Sequence, residues 1–89
     1  MATVSFTSAL QRFLPAPSTQ VEGNTVGAAL AAVFASRPAL RGYVLDDQGA
    51  LRRHVAVYVN GEPVRDRVRL IDPVGSHDEI FVFQALSGG

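Results

Sequence analysis

The chemistry available to this sequence is concentrated at its end, where Gly88-Gly89 follow an apolar segment over residues 80–86 after a single serine. Because glycine has no Cβ, a glycine pair can thread a slot too narrow for other residues and adopt backbone angles they avoid. A carboxylate carried on such a tail can enter an enclosed active site and react there. We therefore expect the Gly89 carboxylate to be a substrate of another protein, with an incidental terminus as the alternative.

The remaining polar side chains form no recognisable catalytic or metal-binding pattern. The two histidines, His54 and His77, lack a third metal ligand at a definable spacing. The pairs Asp46-Asp47 and Asp78-Glu79 are not arranged as a general acid and base, and no serine stands in a pattern with His and Asp. Cysteine is absent, which excludes a disulfide scaffold, a cysteine nucleophile and a thiolate site. We expect no catalytic residue, no metal and no bound cofactor, and hence no enzyme.

The composition indicates one small folded domain. Of its 89 residues 47% are hydrophobic, and the formal net charge is zero, so disorder is not expected. A neutral chain lacks the basic face that nucleic-acid phosphates require. No apolar run reaches the roughly 18 residues that span a bilayer, and the first residues lack the basic region of a signal peptide. We expect a cytoplasmic protein that binds neither nucleic acid nor membrane.

All the basic residues are arginines, and the chain contains no lysine. An arginine-rich, GC-rich genome explains this composition. The alternative is that a protein with an activated C-terminus avoids amines that its own terminus could acylate. Under either explanation the chain cannot form lysine-linked polymers of itself.

Two short strands are predicted near the start, at residues 3–6 and 19–22, because polar and apolar residues alternate there. Pro15 and Pro17 break the segment between them. The two strands would form a hairpin whose core-facing residues are Val4, Phe6 and Val21.

One helix is predicted from about residue 25 to 37. Asn24 or Thr25 can serve as its N-cap, and Pro38 ends it by restricting the preceding residue. Residues 39–45 are expected to form a packed connection. The helix has one apolar stripe, at i, i+4, i+7 and i+8, formed by Val26, Leu30, Val33 and Phe34.

The second half of the sequence predicts three more strands. Residues 53–59 are rich in Val and Tyr, and Asn60-Gly61 is a type I′ turn signal leading into a return strand at 62–65. Pro63 keeps this return strand at a sheet edge, because proline cannot donate to a ladder. Residues 66–77 are expected to be irregular, and the final strand covers about 79–85.

The order of these elements predicts an α+β fold, the ubiquitin-like β-grasp. The first and last strands cannot be hairpin partners, so we expect them to be parallel neighbours in the centre of the sheet. The fold would be a mixed sheet of four to five strands with one main helix packed across one face. Residues 1–85 would form this domain, and residues 86–89 a flexible C-terminal tail ending in diglycine.

The last strand is apolar on both faces. With one helix to cover one face, we expect Ile80 and Val82 in the core and Phe81 and Phe83 exposed, near Ala56. The alternative packs the phenylalanines beneath the 66–77 segment. The predicted partner-binding surface consists of Tyr58, Phe81, Phe83, Leu86 and Ser87.

Several segments together carry a resemblance to a known family. They are Thr25-Val26 at the helix start, residues 36–41 at its end, residues 51–62 (LRRHVAVYVNGE), and residues 78–83 (DEIFVF) with Gly88-Gly89. In these, the chain resembles the MoaD/ThiS family of ubiquitin-like sulfur carriers over essentially its whole length. The longer loop before the strand at 53–59 is more similar to MoaD and CysO-type carriers than to ThiS.

The resemblance implies a mechanism centred on Gly89. An ATP-dependent activating enzyme would adenylate its carboxylate, and a sulfur donor, such as a sulfurtransferase or a persulfide, would convert it to a thiocarboxylate. ATP would be used by that enzyme and not held by the carrier. The sulfur would pass to a cysteine-synthase-like enzyme or to a molybdopterin synthase large subunit, with thiamine as a third pathway.

The resemblance also leaves a second function open. In this alternative the protein is a ubiquitin-like modifier whose Gly89 is joined to lysines of target proteins. A metalloprotease that trims the tail is a further expected partner. The chain could equally serve as the small non-catalytic subunit of a molybdopterin-synthase-like complex.

Overall fold

Five strands and two helices follow one another in the part of the chain that the computed structural model describes, residues 1–6 and 18–84. The strands form one mixed sheet, in which β1 and β5 are parallel neighbours at the centre. The other neighbouring strands are antiparallel, and the order across the sheet is β2-β1-β5-β3-β4. This confirms the predicted β-grasp. The elements are β1 (Ala2–Phe6), β2 (Ser18–Val21), α1 (Val26–Ser36), α2 (Pro38–Val44), β3 (Val55–Val59), β4 (Glu62–Pro63) and β5 (Glu79–Gln84).

A single apolar cluster joins the helices to one face of the sheet. The stripe predicted for α1 is buried throughout, as are the core-facing side chains predicted for the first two strands. In the described ranges no polar or charged side chain belongs to this core. The largest fully buried side chains are Phe6, Leu30, Leu40 and Ile80, with several valines from β1, β3 and β5.

The first turn of α1 is held by hydrogen bonds from three directions. The Thr25 hydroxyl accepts from the backbone N–H three residues later at 3.1 Å, which confirms one of the two predicted caps. The N–H groups of Val26 and Gly27 donate to the carbonyls of Asp72 and Leu70, at 3.0 and 2.8 Å. The first N–H groups of a helix have no partner within it. The irregular segment over 66–77 therefore supplies acceptors that α1 needs.

A second helix, α2, occupies the segment that was expected to be a packed connection over 39–45. Pro38 lies at its first position, where the missing N–H costs nothing. Leu40 and Val44, four residues apart, are fully buried. The sequence did not reveal this helix because seven residues, about two turns, give too few apolar repeats, and Gly42 lowers its helix propensity.

The edge strand β4 is shorter than the predicted 62–65 and ends at Pro63. The Val64 N–H still donates to the Val57 carbonyl of β3 at 2.9 Å, and the chain then leaves the ladder because the Asp72 carboxylate takes the next two donors. It accepts from the N–H of Arg65 at 2.8 Å and from that of Asp66 at 3.1 Å. The other predicted ends agree within two residues wherever the structure describes them.

The turn between β3 and β4 is bonded to the start of β5. Asn60 and Gly61 both have positive φ, 51° and 87°, as the predicted type I′ turn requires. The Asn60 side chain donates to the Asp78 carboxylate at 2.9 Å and accepts from the Glu79 N–H at 2.9 Å. The other Asp78 oxygen accepts from the Gly75 N–H at 2.7 Å. These bonds fix the point at which β5 enters the sheet.

Gly23 is required where the chain turns from β2 into α1. Its φ is 153°, and a Cβ there would lie 2.7 Å from the Ala29 nitrogen, a backbone atom that cannot move aside. We expect Gly23→Ala to reduce the free energy of unfolding by about 2–3 kcal/mol. Gly42→Ala is the control, because nothing lies within 4 Å of its Cβ position, and it should stabilise α2 by up to about 1 kcal/mol. Urea denaturation measures both changes in the free energy of unfolding. Equal stabilities of the Gly23→Ala and Gly42→Ala variants would contradict this account.

The carboxylate bonds around β5 predict a loss of stability in acid. The hydrogen bond from the Gly75 N–H, followed by that from Asn60, holds the pKa of Asp78 below its usual 3.8. A pKa that is lower in the folded state stabilises the fold at pH values above the pKa of the unfolded state. This contribution disappears as the pH falls through the pKa of the folded state. Between about pH 6 and about pH 2 the Tm of Asp78→Asn should therefore fall less than that of the wild type. Asp47→Asn, a change at an exposed carboxylate, is the control and should follow the wild-type curve.

Candidate partner interface

The two faces of β5 differ sharply in exposure. Ile80 and Val82 are fully buried, whereas Phe81 and Phe83 are 36% and 46% exposed. This confirms the predicted face assignment and excludes the alternative in which the phenylalanines pack beneath the 66–77 segment. Large exposed aromatic side chains on one sheet face are typical of a surface that binds another protein.

Three aromatic rings form one group on this open face. Tyr58 lies opposite Phe81 in the antiparallel pairing of β3 with β5, and Ala56 lies opposite Phe83. The ring centroids of Phe81 and Phe83 are 4.9 Å apart, and those of Tyr58 and Phe83 are 6.1 Å apart with an interplanar angle of 70°. Such tilted and edge-to-face contacts favour an ordered surface. We call Tyr58, Phe81 and Phe83 the aromatic cluster.

The strand β5 leads the chain from the aromatic cluster towards the glycines. Its last residue, Gln84, lies opposite Val55 at the start of β3. The predicted role of the remaining residues stays a prediction, because they lie outside the described part of the chain. They are Leu86, Ser87, Gly88 and Gly89.

The other candidate polar residues have structural positions. His54 precedes β3 and His77 precedes β5, so they lie at opposite ends of this strand pair. Asp46 accepts two backbone hydrogen bonds within its own loop, and Asp78 accepts one from Gly75 in the turn before β5. Among residues 1–6 and 18–84, no three His, Cys, Asp or Glu side chains are placed to hold a metal ion. No helix in these ranges is long and apolar enough to cross a membrane.

Comparison with known proteins agrees with this architecture. The ThiS family model matches residues 9–89, which include the terminal diglycine. The chain belongs to the ThiS family. A curated relative, small archaeal modifier protein 1 of Haloferax volcanii, is 39% identical over 70 residues, which cover 78% of this chain and 76% of the relative.

Solved structures similar to this ThiS-family chain share its complete fold. A chain of the Amycolatopsis orientalis BexX/CysO complex superposes with a TM-score of 0.87 at 26% identity, covering all of both chains. Mycobacterium tuberculosis CysO gives 0.84 at 27% identity, covering 97% of this chain and all of that one. H. volcanii small archaeal modifier protein 1 gives 0.80 at 31% identity, covering 99% and 98%. The chain is thus a ubiquitin-like protein of a family of small carriers and modifiers.

The structure places beside the aromatic cluster two residues that the sequence did not single out. Arg53 and Arg67 line a cavity beside Tyr58 and Phe83. The run of basic residues before β3 was a visible signal for Arg53. Arg67 gave no signal, because it lies in the irregular segment whose path the sequence could not predict.

The exposed ring of Phe83 should contribute to binding rather than to folding. We expect Phe83→Ala to weaken binding to an activating enzyme by about 2 kcal/mol, or about 30-fold. Its free energy of unfolding should fall by less than about 1 kcal/mol, because much of the ring is already in water. Val82→Ala, on the buried face of the same strand, should instead cost about 2 kcal/mol of stability. Calorimetric titration and urea denaturation measure the two effects; an unfolding loss for Phe83→Ala equal to that of Val82→Ala would contradict the assignment.

Proposed function

We propose that this protein is a sulfur carrier whose Gly89 carboxylate is activated by an ATP-dependent enzyme and converted to a thiocarboxylate. The observation that carries the proposal is the ThiS family match, which extends through the terminal diglycine. The open aromatic cluster next to the strand that leads to those glycines supports it further. In this proposal the protein is a substrate and carrier, and the partner enzymes supply the catalysis.

The chemistry proceeds in three steps at the terminal carboxyl group. The Gly89 carboxylate attacks the α-phosphorus of ATP, and pyrophosphate leaves to give an acyl-adenylate. The terminal sulfur of a persulfide then attacks the carbonyl carbon, and AMP leaves. A thiol cleaves the resulting S–S bond, which leaves the thiocarboxylate and forms a disulfide. Glycine suits this position because an enclosed active site can approach both faces of a residue without a Cβ.

The fold limits where the partner can place its active site. Five residues follow Gln84, and five extended residues span at most about 17 Å. An enzyme bound to the aromatic cluster must therefore present its nucleotide within that distance of the end of β5. In this proposal the aromatic cluster binds the enzyme, and the tail carries the Gly89 carboxylate to the nucleotide.

The sulfur acceptor is proposed to be a cysteine-synthase-like enzyme, with a molybdopterin synthase large subunit as the second choice. One of the structural relatives is CysO, and another is a chain of a BexX/CysO complex. Their similarity supports a CysO-type role and a protein partner for this chain. In the first case a peptidase must release the cysteine linked through Gly89, and a metalloprotease would serve. Thiamine synthesis is the remaining pathway.

A second function is favoured by the relative in H. volcanii, which is named a modifier protein. In that role the activated Gly89 carbonyl would be attacked by a lysine amine of a target protein rather than by sulfur. Both functions begin with the same adenylation, so one protein can perform both. Since this chain has no lysine, every such amide would join it to a different protein.

Gly89 should be essential for activation and dispensable for folding. With an adenylating enzyme of the source organism, the wild-type chain should support ATP–pyrophosphate exchange, and the chain lacking Gly89 should not. Gly88→Leu should lose most of the exchange, because its side chain would obstruct the slot. With a sulfide source, mass spectrometry should find one oxygen replaced by sulfur on the peptide that contains Gly89.

Two results would count against the proposal. Normal exchange by the truncated chain would contradict activation at Gly89, provided that its circular dichroism matches that of the wild type. Recovery of Gly89 solely in amide linkage to lysines of other proteins, with no thiocarboxylate, would establish the modifier function in place of the carrier function.

A further inference from the structure

A cavity of about 300 Å³ opens on the sheet at the end of the aromatic cluster where β5 reaches Gln84. Tyr58 and Phe83 line it with apolar ring surface, and Arg53 and Arg67 line it with cationic groups. A pocket that combines aromatic walls with guanidinium groups fits a short side chain that bears a negative charge.

Among residues 1–6 and 18–84, no carboxylate forms an ion pair with the guanidinium groups around this cavity. Arg67 donates to the carbonyl oxygen of Arg52 at 2.8 Å, and Arg52 donates to that of Gly42 at 2.7 Å. Arg53 has no hydrogen bond or ion pair to the described residues. Asp46 lines the adjoining cavity together with Arg53 and Arg67, and two backbone N–H groups donate to its carboxylate. The carbonyls orient Arg52 and Arg67, and no carboxylate in the described part of the chain pairs with either.

The charges of this neutral chain are separated along β3 and β5. The basic run Arg52-Arg53-His54 precedes β3, at the end where Gln84 pairs with Val55. The opposite end, around the β3–β4 turn and the start of β5, carries Glu62, Asp78 and Glu79. A partner with an acidic surface is thus attracted to the end of the sheet from which the tail departs.

We propose that this cavity receives an Asp or Glu side chain of the activating enzyme, located at the mouth of the slot that takes the tail. The inference rests on the proposed function and names the chemistry of the partner surface. A nucleotide phosphate is the other anion at hand. However, the phosphates must lie at the Gly89 carboxylate, five residues along the chain from Gln84, whereas Arg53 and Arg67 lie beside Phe83 of the sheet. The anion that faces Arg53 and Arg67 therefore belongs to the enzyme.

Charge reversal at Arg53 tests this inference. In the exchange assay with the source organism's adenylating enzyme, Arg53→Glu should raise the KM for the carrier about tenfold at low salt and leave kcat unchanged. The difference in KM between Arg53→Glu and the wild type should shrink as ionic strength rises, because salt screens the charges. Arg69→Glu is the matched control, because Arg69 is exposed and lines a different cavity beside α1. It makes the same change in net charge and should alter KM less than about twofold.

The outcomes separate this inference from the proposed function. Equal effects of Arg53→Glu and Arg69→Glu would show a general charge effect and overturn the cavity proposal. A fall in kcat with unchanged KM would place Arg53 at the nucleotide and overturn it as well. Absence of exchange with the wild-type chain would contradict the proposed function itself. The Arg53→Glu carrier can also be combined with an enzyme variant in which one acidic residue is changed to Arg. Recovery of the wild-type KM in this combination would establish that the enzyme residue pairs with Arg53.

Discussion

The pairing of β5 between β1 and β3 is the constraint on which the rest of the structure depends. In its register Ile80 pairs with Val4 and Val59, and Val82 pairs with Phe6 and Val57. Because side chains alternate across a strand, burial of these two residues forces their neighbours onto the opposite face. A slip of one residue would bury the phenylalanines and expose the core. One register therefore sets both the stability of the fold and the identity of the partner surface.

The segments without regular structure hold this arrangement at the end of the sheet where β5 begins. Asn60 and Asp78 fix the entry of β5, while carbonyls of Leu70 and Asp72 accept from the first turn of α1. Leu70 adopts a positive φ of 57° with its side chain buried. Such a conformation is strained for a residue with a Cβ, and it persists because its carbonyl and its side chain are both engaged. The loop is thus as specific as the strands around it.

The proposed binding surface and the proposed reacting group belong to separate parts of the sequence. The rigid sheet presents an aromatic cluster and a cationic cavity, which suit recognition and orientation of a partner. The proposed reaction takes place at Gly89, beyond the end of β5. This division suits a protein whose tail enters the active sites of several enzymes, because each enzyme can bind the same sheet face and accept the same tail.

The sequence by itself determined the elements whose pattern is local. Periodicity and capping residues predicted α1, the positive-φ preference of Asn60-Gly61 predicted the I′ turn, and alternation predicted the two faces of β5. The sequence segments that resemble the MoaD/ThiS family, together with the diglycine, also indicated the ThiS family.

Only the tertiary structure decided the features that depend on distant contacts. The helix α2 is too short for its pattern to be read, and it is held by the burial of Leu40 and Val44 in a core assembled from other elements. The end of β4 is set by the Asp72 carboxylate, which lies several residues beyond it in the chain. Arg67 reaches Arg53 only because the irregular segment folds back against the start of β3, where Leu51 donates to the Arg67 carbonyl. No local periodicity encodes these contacts, because each depends on where a separate part of the chain has packed.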